Sequence, residues 1–347
     1  MYMRPLTPIL LGLLMSPLIA SAQTPSAPAR EIDPLLVRVP GPGMWKVRKG
    51  ENTLWVLGTV SPLPAGMAWN SGKVRSIIRR ADAVIAPPSV MVDADIGFFG
   101  KLALAPSLLG VRANPGGKQL EQVVSPAVYA RWAGLKKRYI GRDKSVEDWR
   151  PIFAGVELYE HAMRDHGLRS GGFVNEAVRK AIKEQGLKPT NVSAKIKVKN
   201  PKAIVKEFKS TNFGDVECFE KTLDRVEHDM PTLSARADAW ARGDVEALAR
   251  LRNPDLAKVC ENAMLGGAFA VKYGMDTLTA QSRRNWIAEA ESSLSRHRVT
   301  FAMLPMHDVL SSNGLVAALA GKGYVVDPPG VGDDVLAAAA TLEATAR

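Results

Sequence analysis

The stretch Met44-Trp45-Lys46-Val47-Arg48-Lys49-Gly50-Glu51-Asn52-Thr53-Leu54-Trp55-Val56-Leu57-Gly58-Thr59-Val60-Ser61 decides the fold. β-Branched and aromatic residues flank the polar turn at Lys49-Gly50-Glu51-Asn52, which predicts two strands, 44–48 and 53–60. After Ser61 and a Pro-Gly loop the pattern predicts a helix over 70–80 and a strand over 83–86. Near the other end of the chain the same order returns: strand 298–304, then His307, a helix over 313–321 and a strand over 324–327. Each end reads strand, polar residue at the strand's carboxyl tip, helix, strand. Parallel βαβ units place ligands at the carboxyl ends of their strands, so Ser61 and His307 become candidates for one shared cleft.

Between the two ends the spacing of apolar residues predicts helices over 118–124, 126–139, 147–166, 175–185, 215–228, 230–242, 245–251, 254–264 and 278–296. Ser125 before Pro126 and Asn253 before Pro254 read as N-caps followed by a first-turn proline, and Gly186 and Gly243 sit just past helical stretches. The exception is 194–199, where Lys195, Lys197 and Lys199 alternate with Ala194, Ile196 and Val198. A period of two with lysine on the outer face predicts an edge strand protected against pairing with other chains. The expected class is α/β: two related βα half-repeats forming a central mixed sheet, with a large helical middle region.

Working outward, Arg4 precedes an apolar stretch from Ile9 to Ile19, followed by Ala20-Ser21-Ala22 and Gln23. That layout predicts a secretory signal peptide over residues 1–22. The apolar stretch, interrupted by Pro17, is about half the roughly 20 residues needed to span a bilayer. Residues 23–39 read as a disordered lead-in, 40–329 as the folded domain and 330–347 as a loosely attached tail. A periplasmic or secreted location follows, with no transmembrane segment after cleavage. In an oxidising compartment Cys218 and Cys260, the two cysteines, are candidates for a disulfide; two buried free thiols are the alternative.

Removing Arg4 with the first 22 residues leaves 45 basic against 35 acidic residues. The excess is concentrated between Arg179 and Lys209, where ten Lys or Arg face two acids, Glu184 and Glu207. Such a run is a solvated basic face or a site for an anion. Outside the cytoplasm that anion is an anionic glycan or another envelope component, with Lys195, Lys197, Lys199 and Lys202 as binding candidates. No aromatic residue interleaves these lysines before Phe208, which removes the stacking platforms of a nucleic-acid binder.

The front segment Met44 to Ser61, with Ala81-Asp82-Ala83-Val84-Ile85, resembles the opening of TraB/GumN proteins. Arg284-Asn285-Trp286, Thr300-Phe301, His307 and Gly323-Tyr324-Val325-Val326 resemble that family's closing block. The resemblance implies an α/β fold of two related halves. In metalloprotease relatives of the Tiki type it also implies a divalent metal near two Gly-x-x-His motifs and an acidic residue. Carried over by position, the first His corresponds to Ser61, the acid to Pro87 and a further aspartate to Val174. His307 is kept, with Leu304 where glycine is usual. The resemblance thus points to a degenerate member.

A catalytic zinc normally takes three protein ligands from His, Cys, Asp or Glu, and His307 supplies one. His161 and His166 lie five apart on one expected helix and so point roughly 140° apart. Met303 and Met306 beside His307 are soft donors of the kind copper or haem iron accepts, although such methionines usually fill cores. A Ser61–His307 hydrolase needs an orienting acid, for which Asp308 and Asp93 are candidates, yet Val60 and Pro62 replace the glycines of a nucleophile elbow. Arg284 either points into the cleft between the halves or pairs with a carboxylate. The expectation is an exported binding or scaffold protein without a cofactor. A metal-dependent peptidase or hydrolase using His307, and a haem or copper carrier, are the alternatives.

Overall fold

The computed structural model describes residues 41–94, 96, 98–170, 172–251 and 255–330. The expected signal peptide, the lead-in up to residue 40, the Asn253–Pro254 helix start and the tail from 331 onward lie outside the described residues. Among these, the strands are β1 (Met44–Lys49), β2 (Asn52–Thr59), β3 (Leu63–Pro64), β4 (Ala83–Ile85), β5 (Val90–Ala94), β6 (Leu168–Arg169), β7 (Ala194–Val198), β8 (Val299–Pro305) and β9 (Val325–Asp327). The first helices are α1 (Gly72–Arg80), α2 (Phe98–Leu108), α3 (Pro126–Tyr139), α4 (Pro151–Asp165), α5 (Gly172–Glu184), α6 (Pro201–Ser210) and α7 (Val216–His228). They are followed by α8 (Met230–Ala241), α9 (Val245–Arg250), α10 (Asp255–Leu265), α11 (Ala268–Lys272), α12 (Leu278–Arg296), α13 (Met306–Leu310) and α14 (Leu315–Gly321).

The central sheet runs β4-β8-β2-β1-β9. β2 pairs with β8 in parallel, and β8 with β4 in parallel, while β1 is antiparallel to both β2 and β9. The sheet is therefore mixed, and the two related halves interleave: β8 of the back half lies between β2 and β4 of the front half. The two ends of the chain thus build the expected central mixed sheet jointly rather than as separate lobes. At one end of that sheet the carboxyl tips of β2, β4 and β8 stand together.

β2 is buried on both faces, and that explains its nearly continuous apolar run. Leu54 and Val56 pack with Trp240 of α8, Trp286 and Leu294 of α12 and Leu315 of α14. Trp55 and Leu57 turn the other way, toward Val74, Ile77 and Ile78 of α1 and Val178 and Ile182 of α5. Each such side chain contributes about 1.5–3 kcal/mol by leaving water. A second core lies mainly among helices, where Trp132 of α3, Leu158 of α4 and Phe219 and Leu223 of α7 are fully buried. Cys218 of α7 and Cys260 of α10 are joined by a disulfide, with Cα atoms 4.8 Å apart.

Two helices expected in the middle region differ in the structure. The expected helix over 118–124 is instead one short 3-10 turn, Leu120–Gln122, preceded by another at Pro115–Gly117. The helix expected from 147 begins only at Pro151, because a residue preceding proline is driven out of the α region, and Arg150 has ψ 146°. The expected edge strand over 194–199 is β7, paired in parallel with β5 in a two-stranded sheet of its own. By contrast, α3 and α12 have the expected bounds, and the Ser125 side chain accepts from Val128 N as an N-cap should.

Candidate functional site

In the β2–β8 ladder Thr59 stands opposite Pro305, and Thr59 Oγ1 donates to Leu304 O at 3.2 Å. Both strands then end at the same side of the sheet, β2 leading to Ser61 and β8 to His307. β4, on the far side of β8, leads to Pro87. The three tips that the family would use as ligand positions are thus neighbours in the sheet order. Right after β8 the chain enters α13, and Met306 folds back over β2. A Cβ placed on Gly58 would fall 2.7 Å from Met306 Cε, the flexible end of that side chain, so a larger residue there would make Met306 shift.

The His307 side chain is 61% exposed, and its Nε2 lies 3.5 Å from Asp308 Oδ2. Asp308 is buried, and its other oxygen accepts a hydrogen bond from Arg283 Nη1; Arg283 Nη2 also donates to Asn313 O at 2.9 Å. Asp308 thus takes the place beside His307 for which Asp93 was the other candidate. Arg283, and not Arg284, meets the carboxylate, while Arg284 is exposed on α12. Its neighbour Asn285 reaches Ser193 O at 3.5 Å.

The remaining family positions carry no ligand chemistry. Val174 is buried in the core behind the sheet, Leu304 is fully buried, and Pro87 is exposed. Met306 packs on the α8–α12 face of the sheet and Met303 on the α1–α5 face, so the two sulfurs do not flank His307 as a pair. His161 Nε2 lies 3.3 Å from Glu157, while its Nδ1 is 3.1 Å from Tyr139 O; His166 Nε2 is 3.5 Å from Tyr139 Oη. Among the described residues no group of three or more His, Cys, Asp and Glu is placed to hold a metal ion. The donor set at the strand tips therefore does not fit the metal that the resemblance implies.

A cation approaches the β2 tip from α8, the helix expected over 230–242. Arg236 and Trp240, one turn apart on α8, both donate to backbone carbonyls at the end of β2: Arg236 Nη2 to Ser61 O and Trp240 Nε1 to Gly58 O, each at 2.7 Å. Burial, and then the charge of Arg225, lower the pKa of Arg236. Burial raises the pKa of Tyr159 on α4 while Arg225 of α7 pulls it down, and Arg225 Nε lies 3.8 Å from Asp229 Oδ2. The tryptophan–arginine pair at i and i+4 on one helix face is the signal that a sequence reader had available.

The lysines form a separate surface. Lys195, Lys197 and Lys199 are exposed along β7 and its end, and Lys202 is exposed in the first turn of α6, where Asn200 caps the helix by accepting from Ala203 N. Across the ladder Lys195 faces Met91 and Lys197 faces Asp93. Upstream on α5 the same basic run borders a groove of about 220 Å³ against α1, lined by Trp69, Ser71, Arg75, Lys180 and Glu184. Arg75 and Glu184 form an ion pair there at 3.6 Å.

Among the described residues no helix is long and apolar enough to cross a membrane. No curated protein and no solved structure matches the chain. One family model, described as TraB/PrgY/gumN, matches residues 43–328, a span that begins beside β1, ends just past β9 and holds every strand of the central sheet. With the interleaved βα halves and the retained His307 at a strand tip, that match establishes that the chain belongs to the TraB/PrgY/gumN family.

Proposed function

We propose that this chain is an exported, non-catalytic binding protein of the cell envelope that recognises an anionic polysaccharide through its lysine ridge. The observation that carries the reading is the donor set at the three neighbouring strand tips. Ser61, Pro87 and His307 offer one imidazole where a hydrolytic ion needs about three protein ligands. The Asp308 carboxylate beside His307 is engaged by Arg283. A serine hydrolase is supported no better, because Ser61 lies between Val60 and Pro62 and the Ser61 carbonyl is already bonded by Arg236.

Export is supported by the charged, apolar and small-residue order of residues 1–22 and by the Cys218–Cys260 bridge, since disulfides persist in oxidising compartments. The glycan reading is supported by four exposed lysines on one ridge, with no aromatic platform among them. Elemental analysis of the purified mature protein after exposure to Zn, Mn and Co tests the loss of the metal site. The expected result is no stoichiometric metal. One equivalent of bound ion that disappears in His307→Ala reverses the reading.

A further inference from the structure

The groove of about 220 Å³ between α1 and α5 has an apolar base and a charged rim. Val74 and Val178, each 1% exposed, close the base, and Ala177 and Ala181 on α5 are too short to fill the space above it. Trp69 forms a wall, and Arg75, Lys180 and Glu184 stand at the opening. We propose that this groove binds a single ring of a carboxylated sugar, with the Trp69 indole against the ring and Arg75 and Lys180 on the carboxylate. The proposal deepens the polysaccharide reading and rests on it for the choice of a sugar over other ring acids. The lysine ridge supplies charge; the groove supplies shape.

Size sets the first limit on the ligand. Sites for drug-sized molecules run to about 300–1,000 Å³, so a groove of about 220 Å³ takes one ring and its substituents. A polymer would lay one residue into it and run on across the surface. Chemistry sets the second limit. A sugar ring presents an apolar C–H face and a hydroxylated edge, which matches an indole wall over a valine and alanine base with polar groups at the opening. Charge sets the third. Two cations and one carboxylate leave the rim net positive, which favours an acidic sugar over a neutral one.

The wall is braced from behind. Trp69 packs on Trp240 with ring centroids 5.6 Å apart, and Trp240 is anchored in turn by its bond to Gly58 O. An aromatic side chain held in this way gives up little freedom when a ring docks on it. Arg75 of α1 pairs with Glu184 of α5 at 3.6 Å, and the two side chains are 55% and 43% exposed. Exposed pairs of this kind hold weakly, so a ligand carboxylate can take Arg75 from Glu184 and accept two N–H bonds from its fork. Glu184 is then a competitor of the ligand, and removing its charge should tighten binding.

The test titrates the full mature protein by calorimetry with four probes: trigalacturonate, galactotriose as its neutral counterpart, benzoate as a ring acid without hydroxyls, and polygalacturonate. Saturable 1:1 binding of trigalacturonate is expected, about tenfold or more tighter than galactotriose or benzoate. Ala177→Phe, at an exposed helix position, fills the groove and leaves the core alone; it should weaken trigalacturonate about tenfold or more. Lys180→Gln should weaken it about threefold, and Glu184→Gln should tighten it about twofold, which a purely structural clamp between Arg75 and Glu184 would not do. The combined Lys195→Gln, Lys197→Gln, Lys199→Gln variant should keep trigalacturonate affinity within about threefold. Unchanged affinity in an Ala177→Phe variant shown to be folded by circular dichroism overturns the groove, as does trigalacturonate binding lost with the three lysines alone. If Ala177→Phe does not fold, unchanged affinity in both Lys180→Gln and Glu184→Gln overturns it instead. Equal binding of galactotriose overturns the charge assignment, and equal binding of benzoate the sugar. Polygalacturonate binding without any trigalacturonate binding overturns the groove and leaves the ridge standing; no binding of either overturns both.

Discussion

Asp308 is a buried carboxylate, 4% exposed, that stands between an exposed imidazole and an arginine from another helix. Removing the arginine strands the charge: Arg283→Ala is expected to cost about 2–3 kcal/mol, toward the low end for a broken buried pair because Arg283 is itself 30% exposed. Chemical denaturation measures it, and the double variant with Asp308→Ala should recover part of the loss. A single-variant effect under about 0.5 kcal/mol would show the pair to be incidental. Sequence could not choose Arg283 over Arg284. Adjacent residues on a helix differ by about 100° in direction, and both lie in a polar stretch. Arg150 was less legible still. It is 1% exposed, with its guanidinium about 5 Å from the rings of Phe208 and Phe213 and bonded to the carbonyls of Thr211, Phe208 and Lys209. Nothing in a sequence distinguishes an arginine that ties down a loop some 60 residues away from one in solvent.

Elements whose identity is local could be read directly, and elements defined by distant partners could not. β1, β2 and β8 announce themselves because alternating or continuous apolar residues are bounded by turn chemistry, and α3 because Ser125 and Pro126 form a cap at its start. α6 escaped because its cap, Asn200, directly follows the alternating lysines, and the lysine periodicity dominates the reading. β7 was legible as an exposed strand, but its partner β5 lies about a hundred residues earlier, and no local pattern names it. The disulfide belongs to this scale because it ties α7 to α10 across 42 residues. Loop-closure entropy for that span is about 4 kcal/mol, and measured effects usually fall near 2–4. Replacing both cysteines by serine is therefore expected to lower the denaturation free energy by roughly 2–4 kcal/mol with the secondary structure retained. An unchanged midpoint in non-reducing buffer would show that the bridge carries no stability.

At the scale of the whole molecule, the strand order commits both ends of the domain to one sheet: β8 fills the gap between β2 and β4, and β9 covers the outer edge of β1. The interleaving brings Ser61 and His307 to one end of the sheet, and it leaves the lysine ridge on a separate two-stranded sheet as an independent surface. Net charge and its placement then decide what that surface attracts. Against an acidic polysaccharide such as polygalacturonate the ridge acts through exposed charges, whose reach shrinks from a Debye length of about 10 Å at 0.1 M salt to about 3 Å at 1 M. Affinity is accordingly expected to fall about tenfold or more over that range, while neutral dextran should not bind at any salt concentration. The register sharpens the expectation. Lys197 stands opposite the carboxylate of Asp93 in the ladder register, whereas Lys195 stands opposite Met91. Lys195→Glu should therefore weaken binding more than Lys197→Glu does, and the triple reversal with Lys199→Glu should abolish it. Equal effects at the two positions would remove the strand from the contact, and salt-insensitive binding would remove the ridge altogether.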